Sequence, residues 1–178
     1  MSDRAALAEA TIDWPSEIFE ILSKYDVRQV AYVPDGGHAQ LINMVHQNPK
    51  MRAITLTTEE EGVALSAGAW IGGARSVLLM QSSGVGNCVN MLSLIRVCKI
   101  PFLTIVTMRG EWGEVNAWQV PMGSSTPDAF GLMDIRVLRA NTPTEVTGVM
   151  KAAAAMVFDG GVATAVLLSQ RLIGAKAF

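Results

Sequence analysis

The sequence predicts a single-domain, three-layer α/β/α fold around a mostly parallel sheet, and three observations lead there. Strand-like and helix-like stretches alternate four times in succession between Gln29 and Met108, the pattern of right-handed βαβ crossovers. Ser76 to Met80 (SVLLM) is a continuous apolar run and Phe102 to Met108 reads as another buried strand, as expected of strands covered by helices on both faces. A chain of 178 residues can bury one sizeable core, and no repeat, linker or low-complexity segment divides it.

Each element follows from local signals. Residues up to about Ile12 read as a loose N-terminal arm within a domain spanning residues 1–178. Pro15 suits the first turn of a helix running to about Tyr25, with Ile18, Phe19, Ile21 and Leu22 on its apolar side. Gln29 to Val33 is a short strand ended by Pro34, and Asp35, Gly36 and Gly37 turn into a helix from His38 to Gln47. Met51 to Leu56 is the second strand. A helix from Thr58 follows, ended by the αL-tolerant Gly72 and Gly73. After SVLLM, Ser82, Ser83, Gly84 and Gly86 read as a small-residue loop before a helix from about Asn87 to Val97. From Arg109 to about Pro127 the periodicity fails, and so long an irregular stretch is usually a functional or interface element. Asp128 to Met133 reads as a short helix, Val137 to Leu138 as a short strand, Thr144 to Phe158 as a helix and Ala163 to Ser169 as the closing strand.

Composition excludes several function classes. Half of the residues are hydrophobic and only 17% are charged, against roughly 25% in soluble domains, so part of the surface is expected to lie against another chain. A net charge of −2 offers no basic patch for nucleic acid. No apolar run reaches the length of a membrane span, and MSDRAALAEA lacks the apolar segment of a signal peptide, so a cytoplasmic location is expected. Cys88 and Cys98 stand ten apart on one predicted helix and face different ways, which implies neither a bridge nor a metal pair. Without a Ser/His/Asp triad, a CxxC or an HExxH, most hydrolase and metalloenzyme classes fall away.

The stretch TTEEEGVALSAGAW, residues 57–70, holds the chemistry. Thr58 is a good N-cap, Glu61 completes a capping-box pattern, and Glu60 complements the helix dipole. Glu59 instead shares its helical face with Gly62, Val63, Ser66 and Trp70, small or apolar groups that a flat ring or a second chain could approach. In parallel sheets ligands sit at the carboxyl ends of strands. That edge gathers Pro34 to His38, Thr57 to Glu59, Gln81 to Asn87 and Arg109 to Gln119. SSGVGN, residues 82–87, is open to a phosphate reading at a helix start, but it lacks the ending of a P-loop and fits packing equally well.

Four motifs in order, VPDGGH at 33–38, TEEEGVALSAGAW at 58–70, MQSSGVGNCVN at 80–90 and MRGEWGEVNAWQVPMG at 108–123, resemble the pyrimidine-binding domain of thiamine-diphosphate-dependent 2-oxo-acid decarboxylases. Within that superfamily the chain is most similar, from about Pro15 onward, to sulfopyruvate decarboxylase alpha subunits and the matching half of phosphonopyruvate decarboxylases. The family places a Glu nine residues before the Gly that here is Gly68, which selects Glu59. The resemblance implies that Glu59 meets the ring nitrogen of the cofactor's aminopyrimidine and exchanges a proton there. It also implies that Asp35 and His38 lie near the substrate, with Glu59 as catalytic residues, and that Ser83, Asn87 and Gln119 lie beside the cofactor. Two departures fall at the substrate end: Val120 follows Gln119 where a His is often seen, and residues 36–38 read GGH where relatives carry a Ser and a bulky residue.

These enzymes hold the diphosphate through Mg²⁺ on a second domain with a GDG motif, and GDG does not occur in this sequence. The resemblance therefore implies half an enzyme, completed by a beta subunit in a hetero-oligomer that holds thiamine diphosphate and Mg²⁺ and takes a small acidic 2-oxo acid. Two other readings stay open at this stage: a non-catalytic assembly or regulatory subunit of the same fold, and a nucleotide-binding α/β module using SSGVGN.

Overall fold

A computed structural model describes residues 12–174; the expected N-terminal arm lies outside them except for Ile12. In chain order the elements are α1 (Trp14–Lys24), β1 (Val27–Tyr32), a 3₁₀ turn (Gly36–His38), α2 (Ala39–Gln47), β2 (Arg52–Thr55), α3 (Glu59–Ile71), β3 (Arg75–Gln81), α4 (Ser82–Cys88), α5 (Leu92–Cys98) and β4 (Leu103–Thr107). A second 3₁₀ turn (Ala117–Gln119), α6 (Val120–Gly131), β5 (Arg136–Ala140), α7 (Pro143–Phe158), β6 (Thr164–Leu168) and α8 (Gln170–Ile173) complete the described chain.

The six strands form one sheet in the order β2-β1-β3-β4-β6-β5, and every pairing is parallel. Side chains alternate across it, as the period of two requires. Val77 and Leu79 face a core completed by Ile18, Leu22, Val146 and Met150 from α1 and α7. Leu78 and Met80 face a second core with Val63, Val85, Leu92 and Phe130 from α3, α4, α5 and α6. The continuous apolar run of β3 thus has its physical cause, because each fully buried aliphatic side chain contributes about 1.5–3 kcal/mol and helices wait on both faces.

The strand order reverses direction at two crevices. After β2 the chain returns to the far side of β1, so β1 and β3 are neighbours with a switch point at their carboxyl ends. After β5 it returns to insert β6 beside β4, opening a second one.

Four local expectations are corrected. SSGVGN is not a loop: residues 82–88 form α4 directly after β3, and the turn at 89–91 separates it from α5, so that buried Cys88 and exposed Cys98 lie on different helices. Burial pushes the Cys88 thiol up to about 12, with help from Glu59 and Glu60, which leaves it unreactive at neutral pH. The irregular stretch after Arg109 is shorter than expected, because α6 begins at Val120 and continues through Pro127. Burial of Gly123, Thr126, Ala129 and Phe130 outweighs the hydrogen bond that Pro127 removes. At α3, Thr58 makes no side-chain cap bond, and Glu61 Oε2 accepts instead from the Thr57 N–H at 2.9 Å. Lastly, the small-residue face beside Glu59 is largely covered within the chain. Gly62 lies so close to β3 that an added Cβ would stand 2.4 Å from Leu78 Cδ1, while Trp70 remains 39% exposed.

Candidate active site

Glu59 opens α3 just past the carboxyl end of β2, and its side chain turns inward toward α4. It is 9% exposed. Asn87 Nδ2 donates to its Oε2 at 2.9 Å. The other side of the carboxyl rests on Gly84, where an added Cβ would stand 2.4 Å from both Cδ and Oε1. This close approach is why a glycine sits in the middle of α4 despite its low helix propensity. Motif and helix therefore serve one purpose, since the chain position of Gly84 is the wall against which the acid packs.

Ser83 and Asn87 line one side of an apolar cleft of ≈ 630 Å³, closed by Ala117, Trp118, Pro121 and Met122 from the second 3₁₀ turn and α6. Asn87 belongs both to this cleft and to the Glu59 carboxylate. Gln119 lies within the same 3₁₀ turn but does not line the cleft, and its Oε1 is buried without a hydrogen-bond partner among the described residues. The Gly86 backbone approaches the opposite wall, with an added Cβ 3.2 Å from Met122 Sδ.

Asp35 stands at the β1–β3 switch point. It caps the first 3₁₀ turn by accepting from Gly37 N at 3.1 Å, and it also accepts from Gln81 Nε2 at 3.0 Å and Thr107 Oγ1 at 2.6 Å. With Gln81, Thr107 and Arg109 it lines a smaller polar cleft of ≈ 190 Å³. His38, by contrast, lines neither cleft among the described residues. It occupies the N-cap position of α2 without a side-chain cap bond: its ring is 1% exposed, and Nε2 lies 3.3 Å from Met80 O and 3.2 Å from Ile105 O. Both neighbours are acceptors, so Nε2 carries the proton and the buried Nδ1 is left without a partner. Burial pushes its pKa below the ordinary histidine range, which keeps the ring neutral.

One functional neighbourhood is absent from the sequence reading. Arg109 and Glu114 form a bidentate ion pair at 2.5 and 2.6 Å with side chains only 5% and 4% exposed. Gln170, fully buried, donates to Glu114 at 3.0 Å while its Oε1 accepts from the N–H groups of Glu111 and Trp112. The partners sit in the loop after β4 and on α8, and no local spacing signals their meeting.

Fold and site together define a parallel α/β domain that presents the buried Glu59 carboxyl beside an apolar cleft at the carboxyl edge of its sheet. No family model matches the chain. Sulfopyruvate decarboxylase subunit alpha of Methanococcus maripaludis is 32% identical over 152 residues, covering 85% of this chain and 91% of the relative. The corresponding subunit of Methanothermobacter thermautotrophicus is 40% identical over 59% of this chain and 64% of its own length. Phosphonopyruvate decarboxylase of Streptomyces hygroscopicus is 38% identical over 75% of this chain, which spans only 34% of that protein. Among solved structures, 2-oxoglutarate:ferredoxin oxidoreductase from Magnetococcus marinus shares the fold at a TM-score of 0.67 and 13% identity, over 90% of this chain and 29% of that one. The chain belongs to the sulfopyruvate decarboxylase alpha-subunit family. The designation of those relatives as subunit alpha implies a further subunit in their assemblies. Among the described residues no helix is long and apolar enough to cross a membrane.

Proposed function

We propose that this chain is the alpha subunit of a cytoplasmic, thiamine-diphosphate-dependent carboxy-lyase acting on a small acidic 2-oxo acid of the sulfopyruvate or phosphonopyruvate kind. Residues 1–178 would serve as its pyrimidine-binding domain, with the diphosphate and Mg²⁺ held by a beta subunit. The observation that carries this reading is the Glu59 carboxyl, buried on Gly84 and tethered by Asn87 beside an apolar cleft.

The residues present fit the cofactor's pyrimidine end. Gly84 leaves the carboxyl room that any Cβ would fill, the cleft has the apolar lining and size of small-ligand sites, and the buried Gln119 Oε1 is an acceptor awaiting a donor. When bound, the cofactor supplies an electron sink for the carbanion left as carbon dioxide departs. Glu59 holds and returns a proton at the aminopyrimidine ring nitrogen, the step worth typically 10²–10⁴-fold for a positioned acid or base. Asn87 fixes the carboxyl's rotamer. Ser83 and Gln119 flank the ring, and Asp35 faces the substrate end. His38 acts by position, its neutral ring binding the turn that carries Asp35 to the carbonyls of β3 and β4. Trp118, 85% exposed at the mouth of the cleft, is the natural surface for the partner subunit to cover.

Reconstitution tests the proposal. The chain is mixed with its beta subunit, thiamine diphosphate and Mg²⁺, and carbon dioxide release from sulfopyruvate and phosphonopyruvate is followed. Turnover of either substrate is the expected result. A stable, correctly assembled complex that turns over no 2-oxo acid would sink the reading and favour an assembly role.

A further inference from the structure

Gln81, the last residue of β3, joins the apolar cleft at Ser83 to the smaller cleft at Asp35. Its side-chain Nε2 donates to Asp35 Oδ1 at 3.0 Å, and its Oε1 accepts from Ser83 Oγ at 2.9 Å. Asp35 lines the polar cleft at the switch point and Ser83 the apolar cleft beside Asn87. The direction of this relay is not arbitrary. A carboxylate only accepts hydrogen bonds, so Asp35 dictates which end of the Gln81 amide faces it. Asp35 is itself held by Thr107 Oγ1 at 2.6 Å and Gly37 N at 3.1 Å, so its orientation does not follow that of Gln81. With Nε2 committed to Asp35, Oε1 must face Ser83, and the single hydroxyl proton of Ser83 is given to it. Ser83 then turns only lone pairs toward the cleft.

We propose that Gln81 is a positioning residue that sets the hydrogen-bond polarity where the cofactor cleft at Ser83 meets the substrate end at Asp35. It makes Ser83 an acceptor, so a proton-bearing group of the substrate or cofactor docks there, and the carboxylate and the sulfonate or phosphonate tail of the acid are turned away from both Ser83 and Asp35. The inference rests on the proposed binding of an acidic 2-oxo acid at this edge. Without Gln81 the Ser83 hydroxyl is free to donate, and an anionic oxygen is what it would capture, holding the substrate in an unproductive orientation.

The test compares wild type, Gln81→Met, Ser83→Ala and the double variant in the complete enzyme with beta subunit, thiamine diphosphate and Mg²⁺. Gln81→Met keeps the side-chain length and removes both bonds. Its kcat and KM should fall together, by about tenfold, with kcat/KM little changed, the mark of unproductive binding rather than lost affinity. The double variant should match Ser83→Ala alone, because the misdirected hydroxyl is then gone. The full-length chain by itself supplies a second readout: the unfolding temperatures of the four proteins should be non-additive, as for two members of one network. Additive losses in kcat, an effect on KM alone, or additive unfolding shifts in an active enzyme each overturn the role of Gln81. A wild-type complex without turnover overturns the decarboxylase reading on which this proposal rests, whereas additive unfolding shifts overturn the relay itself, because the unfolding cycle needs no activity.

Discussion

Two buried carboxylates stand at the carboxyl edge of the sheet, and they are treated in opposite ways. Glu114 accepts from Arg109 Nε and Nη2, Gly110 N, Asn116 N and Gln170 Nε2. Glu59 accepts, among the described residues, from Asn87 alone, and its other oxygen faces the bare backbone of Gly84. An ionised carboxyl can take about four hydrogen bonds, so Glu114 is saturated while Glu59 retains capacity. The first arrangement fastens a loop: it ties the stretch after β4 to α8 at the β4–β6 crevice. The second leaves an acid undersupplied with donors, which costs stability unless a ligand completes it. A saturated acid fastens structure, whereas an unsaturated one keeps the capacity to meet a ligand as proposed for Glu59, and the contrast is more informative than burial, which the two share.

The contrast can be broken most severely at Glu59. Glu59→Gln should lower the decarboxylation kcat by about 10³-fold, because the amide cannot exchange the proton, while the unfolding temperature of the chain stays within a few degrees. Stopped assays of carbon dioxide release on wild type and variant, with subunit association checked by gel filtration, measure it. An active variant would refute the assignment.

Glu114→Gln should have the reverse profile. Leaving Arg109 buried without its anion destabilises by about 3 kcal/mol or more, read as a lower denaturant midpoint. The pH dependence sharpens the point. Hydrogen bonding to Arg109 holds Glu114 well below the ordinary carboxylate range. Its stabilising contribution is therefore complete above the unfolded-state value of about 4.3 and is lost as the pH falls through the depressed folded value. Wild type should lose stability on acidification over that window, and the variant should show a flatter acid limb.

Gly84→Ala sharpens the comparison further, because it leaves every polar group in place. The new Cβ would collide with the Glu59 carboxyl, which is the mobile end of its side chain and can swing aside. Helix stability should therefore hold or rise slightly, by up to about 1 kcal/mol, while kcat falls roughly 10²-fold from misplacement. Asn87→Ala gives the smallest effect, about tenfold in kcat, by removing one bond to a charged group that lies partly open to solvent. If either change left kcat untouched, the cradle would be packing and nothing more.

How much of this was written in local sequence differs by element. The central strands are legible because they are buried on both sides, and continuous apolar runs such as SVLLM admit few alternatives; the partly buried edge strand β5 is read only at Val137 and Leu138 of its five residues. Glu59 is set apart from its two acidic neighbours by the helical face it shares with Gly62, Val63, Ser66 and Trp70, and its role is legible through motif order. SSGVGN misleads because two glycines and two serines disfavour a helix by propensity, and the contact that demands Gly84 comes from Glu59, 25 residues earlier in the sequence. The helix through Pro127 is hidden for a related reason, tertiary burial overriding a local breaker. The Arg109–Glu114–Gln170 clasp is invisible because its members lie in a loop and a one-turn helix, with Gln170 56 positions from Glu114. His38 is legible as a special residue but not in its placement beneath the strands.

The central claim is that the spare capacity of Glu59 is filled by the aminopyrimidine. Thiamine diphosphate isotopically labelled at the ring nitrogen, bound to the assembled complex, tests it directly by nuclear magnetic resonance. The ring-nitrogen signal should shift on binding to wild type toward the protonated, hydrogen-bonded position and lose that shift in the Glu59→Gln complex. An identical signal in the two complexes, with the cofactor bound equally in both, would contradict the account.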